Sequence, residues 1–173
     1  MVSSDERRRQ ILEKLAQAGQ PVTGAELARE TGVSRQVIVQ DIALLRAGGS
    51  QILATPRGYF LQDDVHTKCR RTYAVRHDQE GLEQELLIMV DQGGTVLDVV
   101  VEHPLYGEIR GLLMLSCRED VYGFVNNLKH SGALPLSSLT GGVHLHTVEA
   151  AGPEVLDKIA GRLAEANILL AED

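Results

Sequence analysis

Two histidines one residue apart, His144-Leu145-His146, are the pattern in this chain that most directly suggests chemistry. On a β-strand, residues i and i+2 project from the same face, so the two imidazoles stand ~7 Å apart at Cα and can converge on one cation. Leu145 between them faces the opposite side, expected to be a core. Four further histidines are His66, His77, His103 and His130. His77 stands where an alternating stretch gives way to a helical one, and Glu85, two turns along that helix, can swing back toward the same point. Three imidazoles and one carboxylate form a donor set suited to zinc, nickel or a similar divalent transition metal. On spacing alone, an HxH pair also fits two half-buried strand histidines, and Glu83 or Asp78 lies near enough to replace Glu85. His66 and His130 read as solvated loop or helix-end residues.

A metal-dependent enzyme would need a water-activating base beside an open metal position. Glu83, Glu85, Glu102 and Glu108 are available, but the chain has no nucleophile elbow, phosphate loop or zincin HExxH motif, and it reads as a non-enzyme. Cys69 and Cys117 are far apart, fit no CxxC spacing and read as reduced thiols.

The elements that position the histidines alternate between strand and helix periods. A strand is expected over 72–76 and a helix over 78–90, with Leu82, Leu86, Met89 and Val90 on one face. A β-rich run over 95–102 ends at His103-Pro104, and 110–117 is a second apolar strand. A helix over 118–129, a loop over 135–142, a strand over 143–149 and a helix over 153–166, opened by Pro153, follow. Residues 168–170 read as a short closing strand. The order suggests an α+β sandwich over 66–173, joined by a polar link at Asp63-Asp64 to a different unit over 1–62.

That first unit has another logic. Ile11, Leu12, Leu15 and Ala16 make an apolar helical stripe closed by Gly19 and Pro21. Thr23 caps a second helix, with Glu26 at the capping-box spacing. Ser34 caps a third, whose Val37, Ile38, Ile42 and Leu45 share a face. The T-G-V-S joint has the length of a helix-turn-helix turn. Ile52-Leu53 and Tyr59-Phe60-Leu61 flank a Pro56–Gly58 turn and read as a β-hairpin. The pattern LAxxxGVSRQxIxxDIxxLRxxG followed by GYxL resembles the winged helix-turn-helix of biotin-operon-type repressors. The resemblance implies that the third helix enters the major groove, with Ser34, Arg35, Gln36, Val39 and Gln40 toward base edges. Arg57 at the wing tip and the Arg7–Arg9 run are candidates for phosphate or minor-groove contact.

The stretches YAVRHDQEGLEQEL, DVVVEHPLYGEIRG and GGVHLHTVEA resemble the three-histidine (3H) domain. Joined to this winged helix, the whole chain resembles the nicotinate-responsive repressors of NAD-biosynthesis and niacin-uptake genes. The resemblance implies a metal site at His77, Glu85, His144 and His146. It implies nicotinic acid as co-repressor, with the HPLYG segment, including His103, Tyr106 and Gly107, bordering the ligand pocket. A homodimer is expected, because a single small head binds DNA weakly. A metal-responsive regulator, with the cation itself as signal, uses the same residues.

Composition agrees. The chain has 173 residues, 43% of them hydrophobic, which suits packed domains rather than disorder. Its net charge of −7 is unevenly spread: residues 1–62 hold eight Lys and Arg against six Asp and Glu, and the remainder nine against eighteen. A mildly basic head on an acidic body suits a phosphate-facing head. No apolar run is long enough to span a membrane, and the N-terminus lacks a signal-peptide pattern, so a cytoplasmic protein with no membrane partner is expected.

Overall fold

The computed structural model describes residues 3–62 and 68–170; Asp63-Asp64, read as a link, and His66 lie outside them. The chain divides into two compact units, 1–66 and 67–173.

The first unit has three helices, α1 (Ser4–Ala18), α2 (Gly24–Thr31) and α3 (Arg35–Ala47), and a hairpin of β1 (Ile52–Thr55) and β2 (Gly58–Leu61). Each helix starts on a hydroxyl that accepts a main-chain N–H: Ser3 from Glu6, Thr23 from Glu26 and Ser34 from Val37. Such caps contribute about 1 kcal/mol each. Ile11, Leu15, Leu27, Ile38, Ile42 and Ile52 are buried in one core, whereas Ala16 is exposed. In the hairpin Thr55 pairs with Gly58 across a two-residue turn. Val22, between α1 and α2, bridges the free edge of β2 by exchanging two 2.8 Å main-chain bonds with Tyr59. This close approach requires Gly58: its φ is +131°, and a Cβ there would run into the Val22 carbonyl.

The second unit contains β3 (Cys69–Arg76), α4 (Gly81–Asp91), β4 (Thr95–His103), β5 (Gly107–Leu115), α5 (Arg118–Ser131), a 3₁₀ turn (Leu136–Thr140), β6 (Val143–Ala150) and α6 (Pro153–Glu165). Its four strands form an antiparallel sheet in the order β3-β6-β4-β5. Tyr73, Val75, Val96, Leu115, Val148 and Ala150 of the sheet share a core with Leu86, Met89, Val121, Leu156, Ile159 and Leu163 of the helices. The expected α+β architecture is thus observed, with three departures.

The helix expected from residue 78 begins at Gly81, because the Asp78 side chain accepts the N–H groups of Glu80 and Gly81 and forms a turn before it. The expected closing strand at 168–170 is a single bridge, Val75 to Leu169. The third departure bears on function: Leu145 does not face the core. It is 36% exposed, whereas His144 and His146 are each 2% exposed and share their side of β6 with Val148 and Ala150. The helices pack on the histidine face, so the imidazoles are inside.

Candidate metal centre and nucleic-acid interface

Three elements deliver the four donor residues. His77 follows the last residue of β3, Glu85 lies in the second turn of α4, and His144 and His146 occupy β6. β3 and β6 are paired with Val75 opposite His144, which brings His77 to the start of β6. All three imidazoles converge on one oxygen. Glu85 Oε2 lies 2.5 Å from His77 Nε2, 3.2 Å from His144 Nε2 and 3.4 Å from His146 Nε2. The donor atoms of His77, Glu85 and His144 all fall within 4.8 Å of one another, a group that leaves out His146, which meets the centre through Glu85 Oε2 alone. Successive rings meet edge-on, at 88° and 87°.

The other ring nitrogens fix where one ring hydrogen sits. His77 Nδ1 lies 2.5 Å from the Asp78 carbonyl, His144 Nδ1 2.8 Å from that of Gly142, and His146 Nδ1 2.6 Å from that of Asp98. A carbonyl only accepts, so each Nδ1 carries hydrogen and donates it. Each Nε2 therefore faces the carboxylate as a bare lone pair or as part of an imidazolium. Lone pairs against an anion repel. The Glu85 side chain is fully buried, and an isolated carboxylate there costs several kcal/mol. A proton or a cation must sit among these groups. Glu85 Oε1 and His146 Nε2 are also buried without a hydrogen-bond partner. Main-chain carbonyls that orient imidazoles through the distal nitrogen are what a metal-binding histidine requires, so the residues fit a bound cation.

Charge follows the geometry. Burial pushes the Glu85 carboxyl up, but His146, His144 and His77 together hold it well below its ordinary 4.5. Burial pulls His77 and His146 down, yet the Glu85 carboxylate more than offsets it and holds both above 6.5. Two glycines admit the arrangement. A Cβ on Gly81 would lie 2.7 Å from His77 Cβ, and one on Gly142 would run into the His77 carbonyl.

Beside His77 the unit opens into a cleft of ≈ 510 Å³, with Arg76, His77, Gln79, Ser137 and Gly142 among its walls. His103, Tyr106 and Gly107 do not line it. They form the β4–β5 turn, where His103 Nδ1 accepts the N–H groups of Leu105 and Tyr106, Tyr106 is 77% exposed and Gly107 has φ +69°. Glu83 and Asp78 do not join the centre; His130 Nδ1 donates to the Asn126 carbonyl on an exposed helix end.

In the first unit, Arg35, Gln36, Val39 and Gln40 are exposed along α3. Ser34 is exposed too, but its hydroxyl serves the cap. Arg57 is half-buried in the hairpin turn, where its N–H donates to Thr55 Oγ1. The Arg7–Arg9 run is otherwise engaged. Arg7 bonds Asp41 of α3 at 2.6 Å, Arg8 holds Asp5 and Asp41, and Arg9 holds Glu6. Asp41 is 2% exposed, so Arg7 and Arg8 tie α1 to α3 and are not free phosphate contacts. Sequence reasoning missed Asp41; its signal was an acid between Ile38 and Ile42 on the apolar face of α3.

Comparison with known proteins then decides the family. A 3H domain model matches residues 70–172, and a helix-turn-helix model matches 7–60. A probable transcription repressor NiaR of Thermotoga maritima is 47% identical over 167 residues, covering 96% of this chain and 95% of its own. A transcription repressor NadR of Bacillus subtilis is 42% identical over 169 residues, covering 96% and 94%. This chain belongs to their family of transcription repressors. The helix-turn-helix head is thus a DNA-binding domain and the 3H domain its companion. No described helix is long and apolar enough to cross a membrane.

Proposed function

We propose that the protein is a cytoplasmic, non-enzymatic repressor of NAD-biosynthesis and niacin-uptake genes, with a divalent transition metal as cofactor and nicotinic acid as co-repressor. The observation that carries the metal is the convergence of three Nδ1-anchored imidazoles on Glu85. His77, Glu85, His144 and His146 hold the cation; zinc and nickel both suit the donors. The acid fits because the cleft beside His77 brings a small ligand against one of the four donors. His103, Tyr106 and Gly107 enter this reading as an outer rim at the same end of the sheet, beyond the cleft.

A homodimer places two α3 helices against two half-sites. Arg35, Gln36 and Gln40 read base edges, and Ser34 and Arg57 approach the backbone. For nicotinate to act as co-repressor it must bind the DNA-competent form better than the other form. The test is operator affinity of metal-loaded protein with and without nicotinic acid at fixed salt, on DNA upstream of NAD-synthesis and niacin-transport genes. Tightening by nicotinate supports the reading. Response to metal alone converts it to a metal sensor, which the near-complete burial of the four donor side chains favours as the second reading.

A further inference from the structure

His146 is the donor least committed to the centre. Its Nε2 approaches Glu85 Oε2 at 3.4 Å and is buried without a hydrogen-bond partner. Its ring is placed through the other nitrogen, which donates to the main-chain carbonyl of Asp98 at 2.6 Å. Asp98 lies where β4 leaves register with both of its neighbours. Val96 pairs with Leu115 and Asp98 with Leu112, so β5 carries an extra residue, and Met114 there has φ +54°, a left-handed backbone that methionine rarely adopts. Against β6, Val96 pairs with Val148 and Val100 with Leu145, so there the extra residue is in β4. Bulges leave a residue outside the ladder and re-aim the groups it carries.

The Asp98 side chain, 4% exposed, holds this irregular stretch in place. Its Oδ1 accepts the N–H of Thr147, the residue after His146, at 2.9 Å, and its Oδ2 accepts from the Arg110 guanidinium. Arg110 pairs with Val100 and Val100 with Leu145, so Arg110 stands on the sheet face away from the histidines, where it also holds Glu108 at 2.7 Å. Asp98 thus grips β6 at two consecutive residues, His146 through its carbonyl and Thr147 through its carboxylate. Arg110 supplies the cation that a nearly buried carboxylate needs.

We propose that Asp98, locked by Arg110, is the positioning residue that brings His146 to the cation as the fourth donor. With this clip open the centre keeps His77, Glu85 and His144, whose donor atoms already lie within 4.8 Å of one another. The inference rests on the metal reading of the centre and adds to it a pair, outside the four donors, that sets the donor count.

The test uses full-length protein loaded with zinc. Affinity is measured by chelator competition, and the number of imidazole ligands by X-ray absorption. Wild type is compared with Asp98→Ala, Asp98→Asn, Arg110→Ala and His146→Ala, and with Asp98→Ala and Arg110→Ala each combined with His146→Ala. Thermal midpoints of the metal-free proteins report folding; Arg110 is half-exposed, so its variant carries the same comparison if Asp98→Ala does not fold. Wild type should show three imidazoles. Asp98→Ala should show two and bind zinc about 10- to 100-fold more weakly, the usual effect of losing a group that orients a ligating imidazole. Asp98→Asn keeps an oxygen for the Thr147 N–H and should recover part of the loss, and Arg110→Ala should lose less than Asp98→Ala. Because Asp98 acts through His146, neither Asp98→Ala nor Arg110→Ala should cost anything further in His146→Ala, whereas a merely structural role costs the same in both backgrounds. Equal losses in the two backgrounds, or three imidazoles retained when the clip is removed, overturn the assignment and leave the metal reading intact. Two imidazoles in zinc-loaded wild type do the same. Failure of wild type to bind zinc overturns both.

Discussion

Replacing Glu85 by Gln tests the centre at its focus. The amide keeps the size of the side chain and removes the charge on which three Nε2 atoms converge at 2.5, 3.2 and 3.4 Å. Tight four-ligand protein sites for zinc bind with roughly 10–16 kcal/mol. One donor's share is about 2.5–4 kcal/mol, so Glu85→Gln should weaken metal binding about 70- to 1,000-fold. Competition against a chelator of known affinity, with zinc and separately with nickel, measures it. A circular-dichroism melt verifies the fold, because Glu85 is fully buried. The variant should also change the pH dependence. Metal must displace protons from His77 and His146, which the carboxylate holds protonated above the ordinary 6.5. Wild-type affinity therefore rises with pH through a range above 6.5. In Glu85→Gln, burial dominates those imidazoles and the rise moves to lower pH. Affinity within threefold of wild type, with an unmoved pH profile, would refute the reasoning: the four residues would then be a buried ion cluster and nothing more.

Three further outcomes follow from the same geometry. In metal-free protein the centre's contribution to stability should be greatest between about pH 4.5 and 6.5. Glu85 is depressed, so its share is present above 4.5 and lost as pH falls through its folded value; His77 and His146 are raised, so theirs is present below 6.5 and lost as pH rises through their folded values. Thermal midpoints of chelator-stripped protein across pH 3–9 check this, and metal should reverse the alkaline decline. Arg35→Ala should weaken operator binding by about 1–3 kcal/mol and relax preference at one base position, read by anisotropy on a panel of operator variants. A loss equal on every sequence would assign Arg35 to phosphate. Gly142→Ala should reduce metal occupancy, because φ is +93° and the new Cβ meets the His77 carbonyl; occupancy equal to wild type, by elemental analysis, would show that the β6 start yields.

Strand period put His144 and His146 on one side and the strand-to-helix change put His77 near Glu85, Glu83 and Asp78, whereas the choice of Glu85 among these acids came from the resemblance to the 3H domain. Period alone does not say which face is covered, and the helices cover the histidine face and not that of Leu145. Val148 and Ala150 share parity with the histidines, whereas Thr147 and Glu149 share it with Leu145, and that contrast was the available signal. The head was legible through its caps and its Pro56–Gly58 turn, but the buried Asp41 that occupies Arg7 and Arg8 required tertiary packing to see. The cleft was not legible at all. It joins Arg76 to Ser137, which are brought together by a segment whose period reads only as loop.

In the proposed function the metal centre couples nicotinate to DNA. The most direct measurement is operator affinity with saturating nicotinic acid, before and after the metal is removed by chelation and then restored, for wild type and for the His144→Ala, His146→Ala double variant. Nicotinate should tighten wild-type binding only when metal is present, restoration should recover the effect, and the double variant should show none of it while keeping its basal, salt-dependent DNA binding. Equal tightening by nicotinate in stripped wild type and in the double variant would contradict it.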